Sequence, residues 1–392
     1  MLGLSDIAGR IVQSTIRTMS VECEKVGGIN LAQGVCDTEV PDVVRHAAEA
    51  AIEAGFNQYT RLDGIARLRN AIAKKLERQN GILADPDSEI LVTSGATGGF
   101  DAACRALLNP GDEVILFEPY YGYHYATLVG QHCRPVLVSL DPPDYELIAD
   151  RIAAAITPKT RGIVVNTPAN PSGKVFSRDD LQQIVGLACQ HNLFLFTDEI
   201  YEHFVYDGRR HISPATLPGA AERTITISGF SKTFSITGWR VGFLYASPRW
   251  IPAISYFHDL TYVCAPSAFQ HGVAAGLEQL PDSFYSGLIH DYQHKREMIC
   301  DALRAAGLEP SVPAGSYYVL ADASNVPGHD SIEKAMHLLR LTGVACVPGQ
   351  AFFQEGRGDK LLRFCFAKTD ADLEKACQRL ANLRQGAAVM SR

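Results

Sequence analysis

Seven short apolar runs alternate with helix-length segments between residues 89 and 246, and no other feature limits the fold of this chain so strongly. The runs are EILVTS (89–94), EVILFEP (113–119), RPVLVSL (134–140), RGIVVNTP (161–168), LFLFTDEI (193–200), RTITISGF (223–230) and VGFLYA (241–246). Their length and β-branched content suit buried strands, and most are separated by stretches patterned at i, i+3 and i+4. One such stretch, RDDLQQIVGLACQHN (178–192), follows Ser177, a good helix N-cap. Alternation of this kind builds a largely parallel sheet covered by helices on both faces. The last two runs are joined by about ten residues, short for a crossover helix, so one antiparallel strand is expected there.

The pattern changes near residue 285. A long helical segment, SFYSGLIHDYQHKREMICDALRAAG (283–307), leads into GSYYVLADAS and KLLRFCFAK, which read as strands of a smaller α+β unit. The expected division is an N-terminal arm with part of the small domain at 1–45, a large domain at 46–284 and a small domain at 285–392. No low-complexity linker separates them, so they are expected to pack closely.

Composition narrows the function. A formal net charge of −7 without any basic run argues against a nucleic-acid binder. Ten scattered cysteines form no CxxC pair, and the N-terminal stretch has no long apolar run. A cytoplasmic protein with reduced thiols, without leader or membrane span, is therefore expected. The histidines form no HExxH pattern, and no metal is expected.

Ligands of open α/β sheets gather at the carboxyl ends of the strands, and unusual polar clusters stand at those ends here. VTSGATGGF (92–100) offers small residues and open N–H groups at Ala96 and Thr97, a seat for phosphate or else an ordinary tight turn. EPYYGYHYA (118–126) presents Tyr121 for stacking on a flat ring, while Tyr120, Tyr123 and Tyr125 read as packing. NTPANPSG (166–173) holds the Asn170 amide in a rigid loop. FTDEIY (196–201) ends an apolar strand on Asp198, with Tyr201 three residues on. A buried carboxylate demands a partner, which leaves a ligand, a helix cap or a structural ion pair as readings of Asp198.

ISGFSKTFSITGWRVGF (227–243) places Lys232 and Arg240 in an apolar setting. Taken with the other clusters, both cations fit one ligand, pyridoxal 5′-phosphate. Asp198 would keep the pyridine nitrogen protonated, and Lys232, with its pKa lowered by apolar surroundings, would condense with the aldehyde. Arg240 and the Ser231 hydroxyl would take the phosphate.

In this order the motifs closely resemble the class I/II aminotransferases of PLP fold type I, over nearly the whole chain. SKTFSITGWRVG and NTPANPSG are the most specific stretches. The resemblance implies a mostly parallel seven-stranded sheet between helices plus a smaller α+β domain. It makes Lys232 the lysine bonded to the cofactor and the proton shuttle, and pairs Asp198 with the pyridinium nitrogen. Asn170 and Tyr201 would bond the ring hydroxyl, Ala96, Thr97, Ser231 and Arg240 would hold the phosphate, and Tyr121 would stack on the ring. NQYTRLDGIARLRNAIA (57–73) is similar to the segment whose tyrosine, here Tyr59, reaches the phosphate across a homodimer interface. LLRFCFAK (361–368) would supply Arg363 for the substrate α-carboxylate, and INLAQGV (29–35) would bring Gly34 near it. For Arg363 a salt bridge on a half-exposed strand is the competing reading.

Two positions depart from the pattern. Gly229 stands where some relatives have serine or asparagine, and GVCD (34–37) replaces a proline-bearing loop, with Cys36 near the expected substrate pocket. The implied reaction is ping-pong transamination between an L-amino acid and a 2-oxo acid. PAGSYYVLAD (313–322) and LLRFCFAK are most similar to kynurenine–glutamine and methionine transaminases, which implies a neutral or aromatic donor before aspartate. A β-eliminating C–S lyase of the same fold is the main rival, since it shares most of these residues.

Overall fold

All seven runs become strands of one sheet in the computed structural model, which describes residues 3–9 and 15–383. The parts of the expected arm and small domain at 1–2, 10–14 and 384–392 lie outside the described residues. In chain order the strands are β1 (Ile29–Asn30), β2 (Ile90–Thr93), β3 (Glu113–Glu118), β4 (Arg134–Ser139), β5 (Thr160–Asn166), β6 (Phe194–Asp198) and β7 (Thr224–Gly229). They continue as β8 (Gly242–Tyr245), β9 (Glu309–Ser311), β10 (Tyr318–Asp322), β11 (Val344–Ala345), β12 (Val347–Pro348) and β13 (Leu361–Cys365).

The large sheet runs β2-β8-β7-β6-β5-β3-β4. Its members are parallel except β8, which is antiparallel to both β7 and β2. The short connection between β7 and β8 forces that reversal, as the sequence spacing indicates. Every residue of β3, β6 and β7 is buried, because helices cover both faces. The edge strand β4 is only half-buried and opens on exposed Arg134.

Helix Arg178–Gln190 starts where Ser177 predicts. Its hydroxyl accepts from Asp180 N–H while the Asp180 carboxylate accepts from Ser177 N–H, a reciprocal cap. The long helix runs Asp282–Ala306 and stops at Gly307, whose φ of 84° suits glycine. The expected boundary between residues 284 and 285 falls in its first turn.

Beyond it, β12-β13-β10-β9 form an antiparallel sheet, and β1 pairs in parallel with β11. Leu31 N–H donates to Ala345 and Cys365 N–H to the Leu31 carbonyl, so the N-terminal segment is stitched to the C-terminal strands. One apolar core joins Leu31, Leu195, Phe204, Tyr317 and Phe364, which seats the small sheet against the carboxyl ends of the large one.

Candidate active site

The ends of β2, β5, β6 and β7 open onto a cavity of about 120 Å³ bordered by Ala96, Thr97, Tyr121, Asn170, Asp198, Tyr201, Ser231, Lys232 and Arg240.

The β2 end turns through Gly95 into helix Gly95–Leu107. Ser94 occupies the N-cap without a side-chain cap, so the first amides of the helix, at Ala96 and Thr97, point outward with the positive helix end. Arg240, at φ 55°, donates from Nη2 to Thr97 Oγ1 at 3.0 Å and from Nη1 to the Thr237 carbonyl at 3.0 Å. A Cβ at Gly95 would collide with this guanidinium, and its φ of +69° already favours glycine. Preceding Arg240, Trp239 stacks on Phe269 with centroids 4.6 Å apart.

The departure at Gly229 has a steric reason. Gly229 faces Gly242 across the β7–β8 ladder, and a Cβ on it would lie 2.9 Å from the Gly242 Cα. A Cβ on Gly242 would in turn lie 2.7 Å from the Gly95 carbonyl carbon and 2.8 Å from Ala96 N. The bare backbone of this pair lets the helix-opening turn settle on the sheet.

Asp198 ends β6, 6% exposed, and its Oδ2 lies 3.0 Å from His124 Nε2. Its Oδ1 accepts from Ile200 N–H at 3.2 Å. His124 was not among the residues expected from sequence. It lies on helix Gly122–Gly130 beside Tyr121, whose ring meets it edge-on at 5.1 Å. Tyr201 OH stands 3.0 Å from Tyr318 OH, and burial holds both phenols well above their ordinary pKa, so each stays protonated as a donor.

Lys232 Nζ donates to the Gly34 carbonyl at 3.0 Å and lies 5.9 and 5.7 Å above the rings of Tyr201 and Tyr317. Burial lowers its pKa; neighbouring thiols and Asp198 oppose the shift, and Arg240 assists it. Gly34 also accepts from Tyr317 OH at 3.3 Å, and a Cβ there would collide with Tyr318 OH. Cys36 is buried, with Sγ 3.7 Å from the Lys232 carbonyl, and burial raises its thiol pKa.

Arg363 is 1% exposed, so the half-exposed salt bridge is not what holds it. Its Nη1 donates to Asn170 Oδ1 at 3.0 Å and its Nη2 to the Ala32 carbonyl at 2.5 Å. The plane lies 4.3 Å from the Tyr318 ring and 4.9 Å from Phe352. Its Nε is buried without a partner among the described residues.

Tyr59 stands apart from this pocket. It is 80% exposed and borders a separate groove with Phe56, Tyr262 and Phe269. His290 and His294 do stand four apart on the long helix, a spacing that in isolation suits a metal. Among the described residues, however, no three His, Cys, Asp or Glu side chains gather to hold one. No described helix is long and apolar enough to cross a membrane.

Comparison with known proteins matches residues 26–380 to the family described as aminotransferase class I and II. A probable N-succinyldiaminopimelate aminotransferase of Mycobacterium tuberculosis is 35% identical over 378 residues, 94% of this chain and 95% of that one. An aromatic-amino-acid aminotransferase of Thermococcus litoralis is 32% identical over 97% of both chains. The solved structure of the N-succinyldiaminopimelate aminotransferase from M. tuberculosis superposes with a TM-score of 0.94 at 34% identity, covering 97% of this chain and all of that one.

Proposed function

This chain belongs to the class I and II aminotransferases, enzymes that use pyridoxal 5′-phosphate, and from that premise we propose which of its residues carry the transfer of an amino group from an L-amino acid to a 2-oxo acid. The observation that carries the assignment is the convergence on one cavity of a lysine with a lowered pKa, a buried carboxylate and an arginine beside an open helix N-terminus.

These residues fit the cofactor. The amides of Ala96 and Thr97, the Ser231 hydroxyl and Arg240 suit a phosphate. Asp198, steadied by His124, suits a protonated ring nitrogen, and Tyr121 offers its ring for stacking. Tyr201 OH and the Asn170 Nδ2 suit the ring hydroxyl, since Asn170 Oδ1 is engaged by Arg363. When bound, the cofactor supplies an electron sink for the carbanion left by loss of the substrate α-proton.

The protein's part is to hold and to move protons. Lys232, whose pKa burial lowers, would anchor the cofactor through Nζ and, once freed, would use the same atom to take the substrate α-proton. Nζ would carry that proton onward as the acid, and would serve the second 2-oxo acid in the reverse direction. Arg363 holds the α-carboxylate, with Nε as its uncommitted donor and the Gly34 loop closing over it. The aromatic wall of Tyr121 and Tyr123 supports a neutral or aromatic donor, glutamine or methionine included, before aspartate.

A homodimer completes this reading. Exposed Tyr59, Phe56 and Tyr262 border one groove, and Tyr59 would reach the partner's phosphate seat. The division at 1–45, 46–284 and 285–392 is kept as the working domain plan, with helix Asp282–Ala306 as the bridge. Ten free cysteines support a reducing, cytoplasmic setting.

The decisive experiment is the absorption spectrum of the purified holoenzyme during addition of single L-amino acids without a 2-oxo acid. Transamination converts the visible band to that of the amino form, with stoichiometric release of a 2-oxo acid, and ranks the donors. A persisting band with pyruvate and ammonia accumulating from cysteine-type substrates makes the enzyme a lyase. Failure to acquire any chromophore sinks the role given to Lys232.

A further inference from the structure

The turn that opens helix Gly95–Leu107 is held from behind by a group outside the cavity. Ser94 N–H donates to His258 Nε2 at 2.9 Å. His258 lies on helix Ile251–Tyr262 and is fully buried, against the ring of Tyr262 at 5.1 Å. Because Nε2 accepts, the imidazole is neutral with its proton on Nδ1, and Nδ1 has no partner among the described residues. A buried, unpartnered Nδ1–H is costly. A phenylalanine would fill a similar volume without that cost. The acceptor at Nε2 is therefore what distinguishes histidine here.

The acceptor sits at a sensitive place. Ser94 is the N-cap, and its side chain makes no cap hydrogen bond. Its backbone N–H is a fixed point of the turn beside the Thr93 hydroxyl, which donates to the Gly95 carbonyl at 2.9 Å, and it lies directly before Gly95 at φ +69° and the amides of Ala96 and Thr97. We propose that His258 is a positioning residue for the phosphate seat: by accepting from Ser94 N–H it fixes the orientation of the Ala96 and Thr97 amides. Burial pushes its pKa down to about 4, against the opposing charge of Asp259, so the acceptor form persists at neutral pH. The inference rests on the assignment of this turn to the cofactor phosphate.

The test compares dissociation constants of apoenzyme for pyridoxal 5′-phosphate and for unphosphorylated pyridoxal, by equilibrium dialysis. The ratio of the pyridoxal constant to the pyridoxal 5′-phosphate constant isolates the phosphate contribution from ring packing. H258F and H258L, which lack an acceptor, are expected to lower that ratio about tenfold, the scale of one lost hydrogen bond. H258Q, whose amide oxygen reaches the Nε2 position, is expected to restore it to within a few fold of wild type. Amide exchange of the 91–99 segment in apoenzyme should quicken in H258F and H258L and not in H258Q. An unchanged ratio in both acceptor-free variants, or equal weakening of both ligands, overturns the proposal. R240A, which removes a side chain of the seat itself, separates this from the underlying assignment. If R240A lowers the ratio and H258F does not, the seat stands and the role of His258 falls. If R240A leaves the ratio untouched, the phosphate sits elsewhere.

Discussion

Arg363 is buried among rings and carbonyls and pairs with no carboxylate among the described residues, so oriented dipoles and ring faces compensate its charge. Such a guanidinium is poised for an anion, and its planar fork cannot be copied by an ammonium. Arg363→Lys is expected to lower kcat/KM for every amino donor by about 10- to 150-fold, the equivalent of about 1.5–3 kcal/mol for a charged hydrogen bond. Steady-state kinetics with a series of donors checks this, and a loss confined to one donor would mean that Arg363 reads the side chain instead. At this scale the sequence was partly legible. Asn170, Asp198, Lys232 and Arg240 stand at strand ends, where short motifs mark them, and the structure gathers them around one cavity. His124, Tyr318 and the Ala32 carbonyl escaped notice because their partners lie 74, 117 and 331 residues away in the chain, and nothing local marks a contact of that span.

At the scale of elements, the turn after β6 rests on a buried polar network. Glu202 Oε2 takes Lys75 Nζ at 2.5 Å and Asn80 Nδ2 at 2.9 Å, while Oε1 takes the Ser228 hydroxyl at 3.1 Å. Glu199 accepts from Thr197 and Ser213 and pairs with His211 Nε2 at 2.6 Å. Burial alone would raise the Glu202 pKa, but Lys75 with His203 and His211 brings it well below the ordinary carboxylate value. Lys75→Met leaves that carboxylate buried and unpaired, and is expected to destabilise the apoenzyme by about 3–5 kcal/mol. The double variant K75M/E202M should recover most of the loss in urea unfolding, whereas a purely steric effect would leave the two losses additive. Strand positions were read from apolar runs almost residue for residue, and Ser177 announced its helix. The network was not readable, since Lys75 and Glu202 look like surface charges until a fold sets them side by side.

For the whole molecule, the half-buried His203 and the fully buried His258 are both pushed down to about 4 by burial. In each case the unfolded chain, with histidine near its ordinary 6.5, binds more protons between those values. Their stabilising contribution is thus complete above pH 6.5 and fades as pH falls toward 4. Thermal or urea unfolding from pH 7.5 to 4.5 should show stability falling through that window, and the fall should be smaller in H258Q/H203Q. Packing at this scale also ties the end of β3 to the segment before β13. Buried Glu118 accepts from Gln354 N–H at 2.7 Å and pairs with Arg357 Nε at 3.2 Å. Alternation of strand and helix predicted the large sheet, but it says nothing of such ties, which depend on how two sheets meet.

The chain's two tryptophans fall on opposite sides of β8. Trp239 stacks on Phe269 beside the arginine of the phosphate seat, whereas Trp250 lies by the start of β6, where its indole donates to the Glu222 carbonyl. The protein thus carries its own light source next to the cavity and a second, remote one as a reference. In W250F the remaining emission should dim as a coloured cofactor is loaded and brighten as it leaves, an optical gauge of occupancy that needs no attached dye.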